Sequence, residues 1–450
     1  MTLELKSLEI LHEALSVLET GFDSLPEFAP EVDVDALRSA LMEAAEKMRD
    51  NQPFPHPLYI GQMIKPPHSI ARLAYMLSLW INPNNHALDG GRCSSAMEKE
   101  AVAEIAKMFE WSTFLGHLCG GGTMANLEAL WISKRLSRGG AIVASDQAHY
   151  THRRVCEVLD IPFESVPCDS AARMNVNALE KRLEQGNVGT VVASMGTTAT
   201  GSVDPLVRIL QLQETYGFRI HADAAYGGYF TLADNLLPET RAAYDHLSEV
   251  DSIAVDPHKH GLQPYGCGCI LFKDPAVGKF YKHDSPYTYF SSQDLHLGEI
   301  SLECSRPGSA AVALWTTQKL FPLTRGGRFA GDLAKCRSAA LRLYDLLTTD
   351  GRFMTALPPE LDIVIWAPRA PRASEASRLC EAIFDAAEAR GLYMAKANMP
   401  KSLLVHHRPD LEWDQEHVTC LRSCLMKPEH LEWMDRIWDA LDVATTEVMS

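Results

Sequence analysis

The stretch Ser252-Ile-Ala-Val-Asp-Pro-His-Lys-His260 reads as a short buried strand that delivers reactive groups at its end. Ile253, Ala254 and Val255 form an apolar run, and Pro257 stops it because proline brings no amide hydrogen to a ladder. His258 and Lys259 then project from the strand's carboxyl end, where open α/β sheets place their ligand crevices. A lysine held there is costly to desolvate unless it is neutralised or used. Burial is expected to lower its pKa and free the amine to attack a carbonyl. A surface lysine following a strand is the plain alternative, and this stretch alone does not exclude it.

A second stretch, Arg219-Ile-His-Ala-Asp-Ala-Ala-Tyr-Gly-Gly228, changes the balance. Ile220 and Ala222 lead as a buried strand into Asp223, and Gly227-Gly228 breaks the chain soon after. Residue 223 lies 36 positions before residue 259, enough for one crossover between neighbouring parallel strands. A carboxylate followed by small alanines suits a flat ligand with a basic ring nitrogen. Asp223 would keep that nitrogen protonated, and Ala225 would let the ring lie close. Pyridoxal phosphate needs this pair, an amine for its aldehyde and an acid for its ring.

Bulk composition narrows the classes. A chain of 450 residues is too long for one core and predicts two or three domains. A net charge of −16 argues against binding a phosphate backbone or an anionic membrane surface, so neither nucleic acid nor membrane is expected as a partner. No apolar run approaches the ~18 residues of a spanning helix. The start, Met1-Thr-Leu-Glu-Leu-Lys6, lacks the basic and apolar segments of a secretory signal. Eleven cysteines without a Cys-x-x-Cys pair read as reduced packing residues of a cytoplasmic protein, with no metal site.

Leucines 3, 5, 8, 11, 15 and 18 draw an apolar stripe along an N-terminal helix that needs something to bury against. Further helices are predicted over 33–48, 69–80 and 95–111. Segments 53–68 and 82–95 read as loops carrying Tyr59, Lys65, His68, His86 and Arg92. Leu118-Cys-Gly-Gly-Gly-Thr-Met-Ala-Asn126 opens a helix, and its amides could crowd around an anion, with Gly122, Thr123 and Asn126 cupping a phosphate. Alternating strands and helices come next, the pattern of a mostly parallel sheet. His149, Thr198, Asp223 and Lys259 all fall at predicted strand carboxyl ends, a coincidence that random scatter of polar residues would not produce. Residues 279–297 mix aromatic and polar side chains without period, as a loop closing on a substrate would, and Tyr287 or Tyr289 could donate a proton. A smaller α+β unit is predicted beyond residue 330, where Arg422 could meet a substrate carboxylate or serve in a structural ion pair.

These motifs in this order resemble the group II pyridoxal-phosphate-dependent amino-acid decarboxylases. The resemblance spans roughly residues 50–430 and rests on Gly120 to Asn126, Asp146-Gln-Ala-His149, Gly196-Thr-Thr198, His221 to Ala225 and Asp256-Pro-His-Lys259. It implies an aspartate-aminotransferase-like α/β fold (fold type I). An N-terminal segment (1–85) would wrap a partner subunit, a large cofactor-binding domain (86–330) would carry a mostly parallel sheet, and a small C-terminal α+β domain (331–450) would complete the chain. It also implies a homodimer with active sites at the subunit interface.

Residue by residue, Lys259 matches the lysine that forms a Schiff base with the cofactor, Asp223 the ring-nitrogen partner and Ala225 the small residue beneath the ring. His149 matches the histidine stacked on the ring, Thr198 a threonine near the cofactor's phenolic oxygen, Gly122 and Thr123 phosphate contacts, and His258 the histidine preceding the lysine. The sequence departs from the family pattern at Gly120 and Met124, and at Asp256 in place of a frequent asparagine. An acid there would repel a phosphate unless turned away. The activity implied is decarboxylation of an L-amino acid, with an aromatic side chain favoured by the aromatic loops. Alternatives are an acidic substrate, a decarboxylation-dependent aldehyde synthase, another lyase acting through a Cα carbanion, or a scaffold without cofactor.

Overall fold

A computed structural model describes residues 5–26, 28–137, 139–282 and 295–450; Tyr287 and Tyr289 lie outside them. Seven strands form the main sheet: β1 (Leu115–Cys119), β2 (Ala141–Ser145), β3 (Phe163–Val166), β4 (Val188–Ser194), β5 (Arg219–Asp223), β6 (Ser252–Val255) and β7 (Gly268–Phe272). Their spatial order is β1-β7-β6-β5-β4-β2-β3. The run from β6 to β3 is parallel, and β7 lies antiparallel to both β1 and β6. β2, β6 and β7 are buried at every position, as strands covered on both faces must be, which explains their unbroken apolar runs. A second, wholly antiparallel sheet holds β8 (Phe353–Thr355), β9 (Ile363–Pro368), β10 (Ala395–Pro400) and β11 (His417–Cys424) in the order β10-β11-β9-β8. The sequence reading missed β1, β3, β8 and β10, which are short or carry mixed side chains.

Helices α1 (Leu5–Glu19), α2 (Val34–Met48) and α3 (Ser69–Leu79) fall where the periodicity places them. The next, α4 (Leu88–Met108), begins inside the segment 82–95 expected to be a loop, and it contains Arg92. Inside it the chain leaves helical geometry at Gly91 (φ −167°, ψ 58°) and then resumes its helix. The loop 53–68 also runs deeper than expected: Tyr59 is buried, and Lys65 Nζ donates to the carbonyl of Met426 at 3.3 Å.

One buried acid ties the end of β4 to the segment entering the next helix. Asp204 accepts from Met174 N and Ser194 N, both at 2.7 Å, and is wholly buried. Asp204→Ala would strand two buried amides, each costing about 1–3 kcal/mol. A lowered urea midpoint with an unchanged slope should report it.

Candidate active site

The carboxyl ends of β5 and β6 meet. Asp223 pairs with Ala254 across the two strands, and Asp256 N donates to Ala225 O at 3.2 Å. That register sets Asp223, Ala225, Asp256, His258 and Lys259 on one rim of the sheet. Helix α5 (Gly122–Ser137) begins directly against them. Gly121 has φ +146°, and a Cβ there would lie 3.1 Å from His258 Cε1; one on Gly122 would lie 2.8 Å from Asp256 Oδ2. Glycine is required for this approach, which turns the start of a helix toward the rim.

Lys259 Nζ lies 3.0 Å from Asp256 Oδ2. Burial does act to lower the amine's pKa, but the charges of Asp256 and Asp223 and the hydrogen bond to Asp256 outweigh it, and the net shift is upward. The expectation of a lowered pKa is therefore corrected: two carboxylates face the amine where the sequence reading counted only desolvation. Asp256 is corrected with it. The acid points into the site, with Lys259 on Oδ2, His258 Nε2 3.5 Å away and Oδ1 without a partner among the described residues.

This pair has a kinetic consequence. Only the neutral amine attacks a carbonyl, so a raised pKa keeps Lys259 in its unreactive form at neutral pH, and cofactor attachment should quicken as pH rises. Asp256→Asn should make attachment at pH 7.5 faster and move its pH profile downward, because it removes the larger of the two charges that hold the amine protonated. Stopped-flow absorbance after mixing the apoprotein with pyridoxal phosphate measures this.

Asp223 Oδ2 accepts from His152 Nε2 at 2.9 Å and Oδ1 accepts from Ala225 N at 3.2 Å. Burial pushes this carboxyl up, but the His152 hydrogen bond and the charges of His152, Lys259 and His221 hold it well below the usual range. It is thus a carboxylate with donors already on both oxygens. His149 lies one residue before Tyr150, the N-cap of α6 (Thr151–Leu159). Its Nδ1 accepts from Thr151 N at 3.2 Å, and burial lowers its pKa. His258 Nδ1 donates to Cys267 O at 2.8 Å, and burial lowers its pKa as well. Thr198 is exposed just past the end of β4, and Thr123 is exposed in the first turn of α5, 3.3 Å from Thr151 Oγ1.

Asn126 is placed differently from expectation. It is 2% exposed, and its Oδ1 accepts from His221 Nε2 at 2.7 Å, so it braces β5 from behind the glycine loop. Arg422 is also corrected. Among the described residues it forms no salt bridge; Nη1 donates to Gln62 Oε1 at 3.0 Å, while Nε and Nη2 are buried without a partner there. The sequence reading did not single out His152 or Tyr265. His152 falls three residues after His149 on the same turn, a spacing that could have flagged it. Tyr265 is 60% exposed with its ring 4.9 Å from that of His258, and Tyr150 is 66% exposed with its ring 4.4 Å from that of His149.

The donor set fits pyridoxal phosphate: an amine, a fixed carboxylate, a small residue between them and a helix start that only glycine lets approach. The charge of Asp256 beside that helix start is offset by Lys259 in contact with it.

Comparisons with known proteins agree. The model of the pyridoxal-dependent decarboxylase conserved domain matches residues 124–367, more than half of the chain. The chain is 25% identical over 502 aligned positions to an L-tyrosine decarboxylase of Enterococcus faecium, covering 82% of this chain and 81% of that protein. It is 28% identical to a probable L-tyrosine/L-aspartate decarboxylase of Methanoculleus marisnigri, covering 69% and 82%. It is also 28% identical to an L-aspartate decarboxylase of Thermococcus kodakarensis, covering 62% and 72%. Among solved structures, mouse CSAD superposes with a TM-score of 0.78 at 17% identity over 98% of this chain and 99% of that one. Oryza sativa TDC with PLP and tryptamine gives 0.77 at 18% identity over the whole of both. The fold is therefore that of these enzymes, and the chain belongs to the pyridoxal-dependent decarboxylase family.

Proposed function

We propose that the enzyme decarboxylates an aromatic L-amino acid, releasing the amine and carbon dioxide. The observation that carries this reading is the rim itself, where His149 lies within reach of the charges of Asp223 and Lys259, and where the exposed rings of Tyr150, against His149, and Tyr265, against His258, offer aromatic surface to a substrate side chain. Bound there, pyridoxal phosphate supplies an aldehyde for the amine and a ring that accepts the electron pair left when carbon dioxide departs. Asp223 would hold a proton on the ring nitrogen, and small Ala225 would leave room for the ring. His149 would stack on the ring and help orient the substrate carboxylate, with Thr198 nearby. The backbone of Gly122 and Thr123 would hold the phosphate. His258, tied to Cys267 O, fixes the peptide that carries Lys259. We assign protonation of Cα to the hydroxyl of Tyr287 or Tyr289.

The tyrosine decarboxylase relatives favour an aromatic substrate. The aspartate decarboxylase relatives, together with the unpartnered nitrogens of buried Arg422, favour an acidic one as the second reading. Measuring carbon dioxide release from each of the twenty amino acids separates them. Turnover of tyrosine or tryptophan with equimolar amine supports the first reading, and turnover of aspartate alone overturns it. Peroxide and aldehyde in place of amine would overturn simple decarboxylation.

The assembly we infer is a homodimer in the cytoplasm. Of α1 only Leu11 is buried, α2 buries no residue, and Leu37, Leu41 and Met42 stand exposed, which fits an N-terminal segment (1–85) covered by a second copy beside a cofactor domain (86–330) and a small domain (331–450). All eleven cysteines are free, as in a reducing compartment. Sedimentation at micromolar concentration giving a fully active monomer would overturn the dimer.

A further inference from the structure

The turn that carries His149 also reaches the acid beneath the ring site. His152, the second residue of α6, is wholly buried, with Nε2 2.9 Å from Asp223 Oδ2 and Nδ1 without a partner among the described residues. An ionised carboxylate only accepts hydrogen bonds, so Nε2 carries the hydrogen and donates. The other groups facing Asp223 have partners of their own. His221, on β5 itself, spends Nε2 on Asn126 and Nδ1 on Ser252 Oγ at 2.9 Å, and burial pushes its pKa down to about 3. Lys259, beyond β6, is paired with Asp256, and His149 Nδ1 takes the Thr151 amide. Among the described residues, His152 is therefore the side chain that donates to this carboxylate; the remaining donor is the backbone of Ala225.

We propose that His152 is a positioning residue. Through its hydrogen bond to Asp223 it fixes that carboxylate and keeps the shared proton on the cofactor's ring nitrogen instead of on the acid. The inference rests on the reading of Asp223 as the ring-nitrogen partner. A buried carboxylate that loses a donor becomes a stronger base, so the proton moves toward it and the ring becomes a poorer acceptor of electrons.

The test uses holoenzyme loaded with pyridoxal phosphate labelled with nitrogen-15 in the ring. His152→Phe keeps a flat buried ring without the donor, and His152→Gln keeps an N–H. In the Phe variant the ring-nitrogen resonance should move toward that of unprotonated pyridine. Cofactor dissociation should become about tenfold easier, the scale of one hydrogen bond to a charged group, and kcat should fall with little change in KM. The Gln variant should recover the resonance and the affinity. A Phe variant with the wild-type resonance and affinity overturns the proposal. Should that variant fail to fold, His152→Ala with added imidazole replaces it: recovery of the resonance supports the proposal, and its absence overturns it. Asp223→Asn is the control. If it leaves the resonance unmoved, the reading of Asp223 itself fails; if it moves the resonance while the His152 variants do not, only the role of His152 fails.

Discussion

Lys259→Ala is expected to abolish turnover, lowering kcat by at least about 10⁴-fold, and to remove the visible absorbance of attached cofactor. The amine stands at the carboxyl end of β6 facing both acids of the site, and alanine there leaves nothing to hold an aldehyde. The substitution also strands Asp256, which is 2% exposed and loses its 3.0 Å partner. Breaking a buried pair in this way costs about 3 kcal/mol, so a lower melting temperature should accompany the loss of activity. The double variant Lys259→Ala with Asp256→Asn separates the two effects, because it removes the stranded charge. Its melting temperature should return toward that of the wild type while turnover stays absent. Residual activity near the wild-type level in either variant would refute the assignment.

The second large effect is expected from Asp223→Asn. The amide keeps the size of the carboxylate but cannot hold a proton on a basic ring nitrogen by charge. Removing one preorganised electrostatic partner of developing charge costs about 10²–10³ in rate, so kcat should fall by about that factor, with KM changed less. Absorbance of attached cofactor should remain, since Lys259 is untouched, and this distinguishes the variant from the first. Loss of the attached cofactor together with activity would mean that Asp223 serves binding, not the electron sink.

Much of the site was legible because the two strands that carry it, β5 and β6, announce themselves locally. Ile253-Ala-Val255 and Ile220-His-Ala222 are short runs whose burial comes from their own side chains, and residues adjoining a strand end in the chain also adjoin it in space. The reactive ends of β5 and β6 could therefore be named, and the spacing between them implied a parallel crossover. The glycine run at the start of α5 was less telling, since a plain helix entry uses glycine too; the close approach of Gly121 to His258 and of Gly122 to Asp256 came from the packed structure.

What the chain alone could not reveal was how charges and partners fall across elements. The net pKa shift of Lys259 depends on Asp256 and Asp223 meeting the amine from two directions, so desolvation considered alone gave the wrong sign. Asn126 reads as a phosphate ligand from its place in the loop, but the helix turns its amide oxygen to His221, 95 positions later in the chain. The bond between His152 and Asp223 spans 71 positions, and nothing in either local stretch requires it. Local sequence determines which residues reach a sheet's rim, because strand burial and turn chemistry are short-range. Only the packed structure decides which of them share a proton, because electrostatic pairing depends on distances that the fold sets.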